Sequence, residues 1–232
     1  MKTFTILGTG WLGFELAKVL KNKYKIKVSS RNGEKQKIYE EEGFSSYILN
    51  EKNLDFLEEL LDTNYLFINY PPSKFENYLN FLEKIYNHEK MKNIEKIIFI
   101  SSTSIYPNII GNFDEKYEIT DSSSKIVFDV SGLVGANRYF GKRSANKIVE
   151  FPESLINFVH RNDVINATEF AIENDLNGIF NLCSNEHPTK KEIYSFNSKK
   201  YNFDIPIFLD NNFFLDRKIN GSKIEKLGFK YK

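Results

Sequence analysis

Apolar residues in this chain gather into short runs, and the polar stretches between several of those runs carry apolar positions at helical spacing. The run Thr3–Leu7 meets Gly8-Thr9-Gly10-Trp11-Leu12-Gly13, after which Leu12, Leu16, Val19 and Leu20 fall on one helical face. This predicts strand, glycine turn, helix. A second strand is expected at Lys25–Ser29, and a helix at Glu34–Glu42 that stops at Gly43. Further strands are expected at Ser46–Leu49, Tyr65–Asn69, Lys96–Ser101, Ile126–Ser131 and Gly178–Cys183. Helices are expected at Leu54–Leu61, Phe75–Asn87 and Arg161–Glu173. Strands that alternate with helices, and strands such as Ile97–Ile100 that are apolar on both faces, indicate an α/β fold with a doubly wound parallel sheet covered on both sides.

The link from the fifth expected strand to the sixth breaks this pattern. Residues Pro107–Ser124 hold Pro107, Gly111, Asp114, Asp121 and a serine run, with no helical apolar stripe. A parallel crossover normally carries a helix, so this one reads as truncated. On Phe75–Asn87, by contrast, Tyr78, Leu79, Leu82, Ile85 and Tyr86 make an apolar stripe wider than is needed to cover a sheet. Part of it is expected to be exposed.

Composition sets the remaining bounds. At 232 residues and 41% apolar, the chain can bury one sizeable core, or a core plus a small lobe. The 32 basic and 31 acidic residues leave a net charge of +1, so no global field draws it to nucleic acid or to an anionic membrane. Basic runs such as Lys21–Lys27 read as solvated turns. The single cysteine, Cys183, excludes an intramolecular disulfide and reads as a core thiol, which fits a reducing compartment. The apolar stretch before Gly8 is too short for a signal peptide and no run is long enough for a membrane span, so a cytoplasmic protein is expected. No metal site is expected.

The glycine turn carries the first chemistry. In Gly8-x-Gly10-x-x-Gly13 the first glycine permits a tight turn, the second lets backbone approach a pyrophosphate, and the third lets helix pack close to strand. The helix start then offers N–H groups to phosphate. This predicts a dinucleotide-binding Rossmann domain at residues 1–131 and a smaller lobe at 132–232 that returns a strand, about 178–183, to the main sheet. At the end of the second strand, an acidic residue would select NAD. Here Ser30 and Arg31 stand instead, and a guanidinium pairs with a 2′-phosphate, so NADP is favoured with NAD open. After the fifth strand, Ser101-Ser102-Thr103-Ser104 lies where open α/β sheets hold ligands, and one hydroxyl there could polarise a carbonyl or hold a sugar hydroxyl.

Together, Gly8–Gly13, Ser101–Tyr106, Ser131–Gly135 with Arg138, Asn157–Asp163 and Gly178–Cys183 resemble the ordered motifs of extended and atypical short-chain dehydrogenases/reductases. The similarity is greatest to the bacterial subgroup labelled NAD(P)-dependent or nucleoside-diphosphate-sugar epimerases. It implies a catalytic role for Ser102 and cofactor contacts from Gly8, Thr9, Gly10, Trp11, Leu12, Gly13, Ser30, Arg31, Asn69, Tyr70, Pro71, Ser101 and Leu133. It also implies a substrate lobe to which Thr103, Tyr106, Arg138 and His160 belong, and a small-molecule substrate such as a nucleotide sugar. Three features depart from the family: the Tyr-x-x-x-Lys pair is missing, its crossover helix is missing, and Asp129 stands where the sixth strand usually has arginine. Tyr117, with Asp121 four residues on, does not replace the pair. Three readings follow: an NADP-dependent oxidoreductase or sugar-nucleotide epimerase/dehydratase, a non-catalytic dinucleotide sensor or regulatory protein, and a degenerate, poorly stable family member. The resemblance implies a dimer built on the crossover helix and its neighbour at 75–87, which is expected here to be weakened or replaced.

Overall fold

The computed structural model describes residues 1–116, 125–209 and 216–232. Its strands are β1 (Thr3–Leu7), β2 (Lys25–Ser30), β3 (Ser45–Ile48), β4 (Tyr65–Ile68), β5 (Lys96–Ser102), β6 (Gly111–Phe113), β7 (Lys125–Val130), β8 (Gly132–Val134), β9 (Ile148–Val149), β10 (Phe158–His160), β11 (Gly178–Leu182), β12 (Ile207–Phe208) and β13 (Arg217–Ile219). The α-helices are α1 (Trp11–Leu20), α2 (Gln36–Glu41), α3 (Leu57–Leu61), α4 (Tyr78–Tyr86), α5 (Arg161–Glu173), α6 (Lys190–Tyr201) and α7 (Ser222–Glu225). Seven strands form the main sheet in the order β11-β7-β5-β4-β1-β2-β3, and β1 pairs in parallel with both β2 and β4. The β2–β3 and β4–β5 pairs are parallel as well. Strand order reverses between β1 and β4, the switch point at whose carboxyl end a doubly wound sheet holds its ligand.

The chain divides into two compact units: Met1–Ile100 with Ser122–Val127 and Asn174–Gly178, and Ser101–Asp121 with Phe128–Glu173 and Ile179–Lys232. In the first, Leu7, Leu66 and Ile68 of β1 and β4 pack with Tyr70 and with Phe81, Leu82 and Ile85 of α4. Each such side chain contributes about 1.5–3 kcal/mol on burial. The expectation that part of this helix's apolar stripe is exposed holds at Leu79. Ile85 and Leu82 are buried, Tyr78 and Tyr86 are half-buried against the same cluster, and only Leu79 faces outward, at 76% exposure. The wide stripe is taken up by an aromatic layer of Tyr70, Phe75 and Phe81 that needs a broad partner. The expectation of a solvated Lys27 is corrected: it is buried in β2, where its ammonium donates to the Glu59 and Asp62 carbonyls and pairs with the Glu59 carboxylate.

In the second unit the described part of the crossover is extended. Strand β6 pairs in parallel with β13, and Phe113 joins Tyr106, Cys183 and Ile219 in a small core, so this backbone finds its partners on a strand instead of within a helix. Tyr117, Asp121 and the rest of 117–124 lie outside the described residues. Cys183 is buried, as expected of a core thiol. Helix α6 was not predicted, because its sequence has no clear apolar stripe; the Thr189–Glu192 capping box starts it. Among the described residues no helix is long and apolar enough to cross a membrane.

Candidate functional site

The two outer glycines of the turn after β1 are demanded by packing within the first unit. Gly8 has φ +83°, and a Cβ there would fall 2.5 Å from the Asn69 carbonyl oxygen. A Cβ on Gly13 would fall 2.9 Å from Ile6 Cγ2. Gly10 differs. The nearest atom to its added Cβ, the Gly8 carbonyl oxygen, is 4.0 Å away, so no packing among the described residues requires glycine at that position. Helix α1 starts at Gly10 with no side-chain cap and no acid in its first turn. The positive end of the helix and its first N–H groups thus point at the surface beside Gly10, an arrangement suited to phosphate.

A hydrogen-bonded layer holds this turn from below. The Gly8 N–H donates to Ser29 Oγ at 3.0 Å, and that hydroxyl bonds the Tyr70 hydroxyl at 2.8 Å. Tyr39 donates its hydroxyl to the Thr9 carbonyl, and the Thr9 N–H donates to the Ser29 carbonyl. Asn69 donates from its side chain to the Gly8 carbonyl at 3.4 Å, and Thr9 Oγ1 donates to Ile6. Burial pushes the Tyr70 phenol well above the usual tyrosine range, so it acts as a neutral strut. Ser29 and Tyr39 were missed by sequence reasoning. The available signals were a serine closing an apolar strand and an aromatic in an otherwise charged helix.

At the end of β2, Ser30 donates its hydroxyl to the Asn32 carbonyl at 2.6 Å, which uses its only proton. Arg31 is exposed, and one of its guanidinium N–H groups donates to the Lys74 carbonyl at 3.2 Å. Its other donors carry any recognition of a 2′-phosphate. Pro71, after β4, is exposed.

The second unit holds the remaining predicted residues. The exposed Ser102 accepts from the Ser104 N–H at 3.2 Å, which orients the hydroxyl and leaves its proton for donation outward. Thr103 is buried and accepts from Ser131 at a long 3.5 Å. Tyr106 is buried in the small core and donates to Asn181 Oδ1 at 3.0 Å; burial pushes its phenol up to about 12. Strand β8 pairs with β10, bringing Leu133 beside Val159 and Val134 beside His160. His160 Nδ1 accepts the Asn162 N–H at the start of α5, and its ring lies against Gly135, where a Cβ would fall 2.7 Å from Nε2. Arg138 is placed by a two-residue turn in which it and Gly135 exchange N–H···O bonds of 3.2 and 2.9 Å.

Asp129 is buried, and neither carboxylate oxygen has a hydrogen-bond partner among the described residues. Burial is the main cause that pushes its carboxyl up to about 6; Ser101 opposes the shift and Glu115 adds to it. The folded protein holds this proton to higher pH than the unfolded chain, so stability from Asp129 is complete below about pH 4. It is lost as pH rises through about 6. Two pKa units correspond to about 3 kcal/mol. Asp129→Asn is therefore expected to stabilise the protein by about 1–3 kcal/mol at pH 8 and to change nothing at pH 4, read from urea midpoints. An equal effect at both pH values would contradict this assignment.

No family model matches the chain. It is 28% identical over 266 aligned residues to Protein YeeZ of Escherichia coli (strain K12), an alignment covering 100% of this chain and 96% of that protein. Among solved structures it superposes on a functionally unknown conserved protein from Silicibacter pomeroyi DSS with a TM-score of 0.78 and 17% identity, covering 100% of this chain and 94% of that one. A UDP-N-acetylglucosamine 4-epimerase from Methanobrevibacter ruminantium M1, in complex with UDP-N-acetylmuramic acid, gives a TM-score of 0.75 at 17% identity, with coverages of 100% and 93%. A UDP-glucuronic acid 4-epimerase from Bacillus cereus, in complex with NAD, gives a TM-score of 0.75 at 15% identity, with coverages of 99% and 93%. At these identities the likeness shows the fold, a Rossmann-type α/β sheet shared with nucleotide-sugar epimerases.

Proposed function

We propose that this chain is a member of the extended short-chain dehydrogenase/reductase superfamily that binds NADP in preference to NAD and acts on a small anionic substrate of the nucleotide-sugar type. The observation that carries the reading is the contrast among the three glycines. Gly8 and Gly13 are fixed by the protein's own packing, whereas glycine at Gly10 is explained by the close approach of a pyrophosphate. The uncapped start of α1 faces the same place. The residues of the first unit fit the cofactor: Gly8–Gly13 would hold its pyrophosphate, and Asn69, Tyr70 and Pro71 its ribose side. When bound, nicotinamide supplies hydride transfer. Ser102 supplies a proton donor to a substrate oxygen, with its lone pair engaged by Ser104. Cys183, buried and reduced, fits a cytoplasmic protein.

A second reading, a dinucleotide-binding protein without turnover, is favoured by one specific observation. The Tyr70 and Tyr106 phenols are buried and shifted upward, so neither can stand in for a tyrosine whose pKa is lowered by lysine. Cofactor turnover on a panel of nucleotide sugars supports the first reading, and tight binding without turnover across that panel supports the second.

Arg31 provides the test of cofactor choice. A charge-assisted bond to the 2′-phosphate is worth about 1.5–3 kcal/mol, so wild type should bind NADPH roughly tenfold to a hundredfold more tightly than NADH. Arg31→Ala should erase most of that ratio by weakening NADPH alone. An unchanged ratio would remove Arg31 from the assignment.

A further inference from the structure

Three separate stretches of the first unit meet around Arg31, and the turn after β3 ties them together. In that turn Asn50 Oδ1 accepts the Lys52 and Asn53 N–H groups at 2.9 and 3.0 Å. The Nδ2 of the same side chain donates to the Arg31 carbonyl at 2.9 Å, which fixes the main chain that carries the guanidinium. Glu51, the next residue, reaches the approach to α4. Its carboxylate accepts the Glu76 N–H at 2.9 Å and the Asn77 N–H at 2.6 Å, one oxygen to each. Arg31 Nη1 donates to the Lys74 carbonyl at 3.2 Å, just ahead of the two N–H groups that Glu51 holds.

The Pro72–Lys74 3-10 turn closes on itself, with the Lys74 N–H donating to the Pro71 carbonyl and the Phe75 N–H to the Pro72 carbonyl, both at 3.2 Å. Those bonds set the shape of the turn, not its place. Two contacts locate it: the Phe75 ring, stacked on Phe81 at 4.8 Å against the core, and the Glu51 carboxylate. The aromatic contact serves the fold and stays when Glu51 is removed. What Glu51 adds is the position of the backbone at 74–77, and with it the carbonyl on which the guanidinium rests. A planar guanidinium held by one of its N–H groups keeps its remaining donors in a fixed fork. An arginine already held also gives up less rotamer freedom when it grips a ligand, an ordering worth roughly twofold to tenfold in affinity for one such side chain.

We propose that Glu51 is a positioning residue for cofactor choice: by holding the backbone at 74–77 it fixes the Lys74 carbonyl, and through that carbonyl the guanidinium of Arg31. The inference rests on the reading that Arg31 meets the 2′-phosphate of NADP. Its sign is opposite to that of charge alone. A carboxylate repels a nearby phosphate, so removing Glu51 merely as a charge would tighten NADPH. Removing it as a positioning contact weakens NADPH.

The test is titration of the full chain with NADPH and NADH, read as the ratio of the two dissociation constants. Glu51→Ala should weaken NADPH by about threefold or more and leave NADH within about twofold, whereas general damage to the turn would weaken both. Glu76→Ala removes an equal charge from the same segment but keeps the backbone N–H that Glu51 holds, so it should leave the ratio within about twofold. In an Arg31→Ala background, Glu51→Ala should not change the ratio further, because no guanidinium is left to position. The inference is overturned if Glu51→Ala keeps or raises the ratio while Arg31→Ala erases it. It is also overturned if Glu76→Ala matches Glu51→Ala, or if the effects of Arg31→Ala and Glu51→Ala add. A ratio that Arg31→Ala leaves unchanged overturns the inference together with the cofactor assignment, so Arg31→Ala alone tells the two failures apart. Circular dichroism of each variant confirms that it is folded. Should Glu51→Ala unfold, Glu51→Gln carries the same expectations, since its amide turns one acceptor oxygen into a donor facing an N–H.

Discussion

Gly10→Val is expected to abolish measurable NADPH binding, a loss of a hundredfold or more, and to leave the urea midpoint nearly unchanged. The geometry separates these two effects. An added Cβ at Gly10 meets no atom of the described residues closer than 4.0 Å, so the turn has room for a Cβ there while the pyrophosphate approach is closed. Gly8→Ala is the informative contrast. Its Cβ would stand 2.5 Å from the Asn69 carbonyl oxygen at a backbone φ of +83°, so stability and binding should fall together. Chemical denaturation and fluorescence titration on the same preparations read both quantities. Full-strength NADPH binding by a folded Gly10→Val protein would move the cofactor away from this turn.

Ser102→Ala is expected to lower turnover on any nucleotide-sugar substrate by roughly 10²–10³, the usual cost of removing one preorganised donor to a developing oxyanion. Cofactor affinity should be unchanged. The expectation rests on exposure and on the Ser104 N–H that occupies the Ser102 lone pair at 3.2 Å, so that the hydroxyl proton faces outward. Ser104→Ala should cost far less, because that residue contributes through its backbone N–H, which alanine keeps. Thr103→Ala should act mainly on stability, since Thr103 is buried and bonded to Ser131. Equal losses for all three would mean that the turn had collapsed, and full activity in Ser102→Ala would remove its assigned role.

The periodic part of the fold was readable from residues, and the reason is local. In Thr3–Leu20 each level of description agrees: the apolar run, the three glycines and the helical stripe all follow from backbone geometry within one βα unit. The stripe on α4 was readable as apolar and, at Leu79, as exposed; how far the rest is covered was not, because Tyr70 and Phe75, from the segment after β4, add an aromatic layer that periodicity does not encode. Lys27 was misjudged for a similar reason. Its ammonium is satisfied by two carbonyls and a carboxylate at the end of α3, some thirty residues away in sequence. In the candidate site, the glycines and Arg31 were expected from motif. Ser29 and Tyr39 did not, since their contribution is a hydrogen bond to the turn's backbone across more than twenty residues.

The central claim, that the glycine turn of the first unit holds a nicotinamide dinucleotide, is tested most directly by titrating the wild-type chain with NADPH and following its fluorescence to saturation. The account expects a single saturable site per chain with a dissociation constant in the range of roughly 1–100 μM, about 7 kcal/mol of binding free energy at the middle of that range. Absence of saturation up to millimolar NADPH and NADH, in a protein shown to be folded, would contradict it.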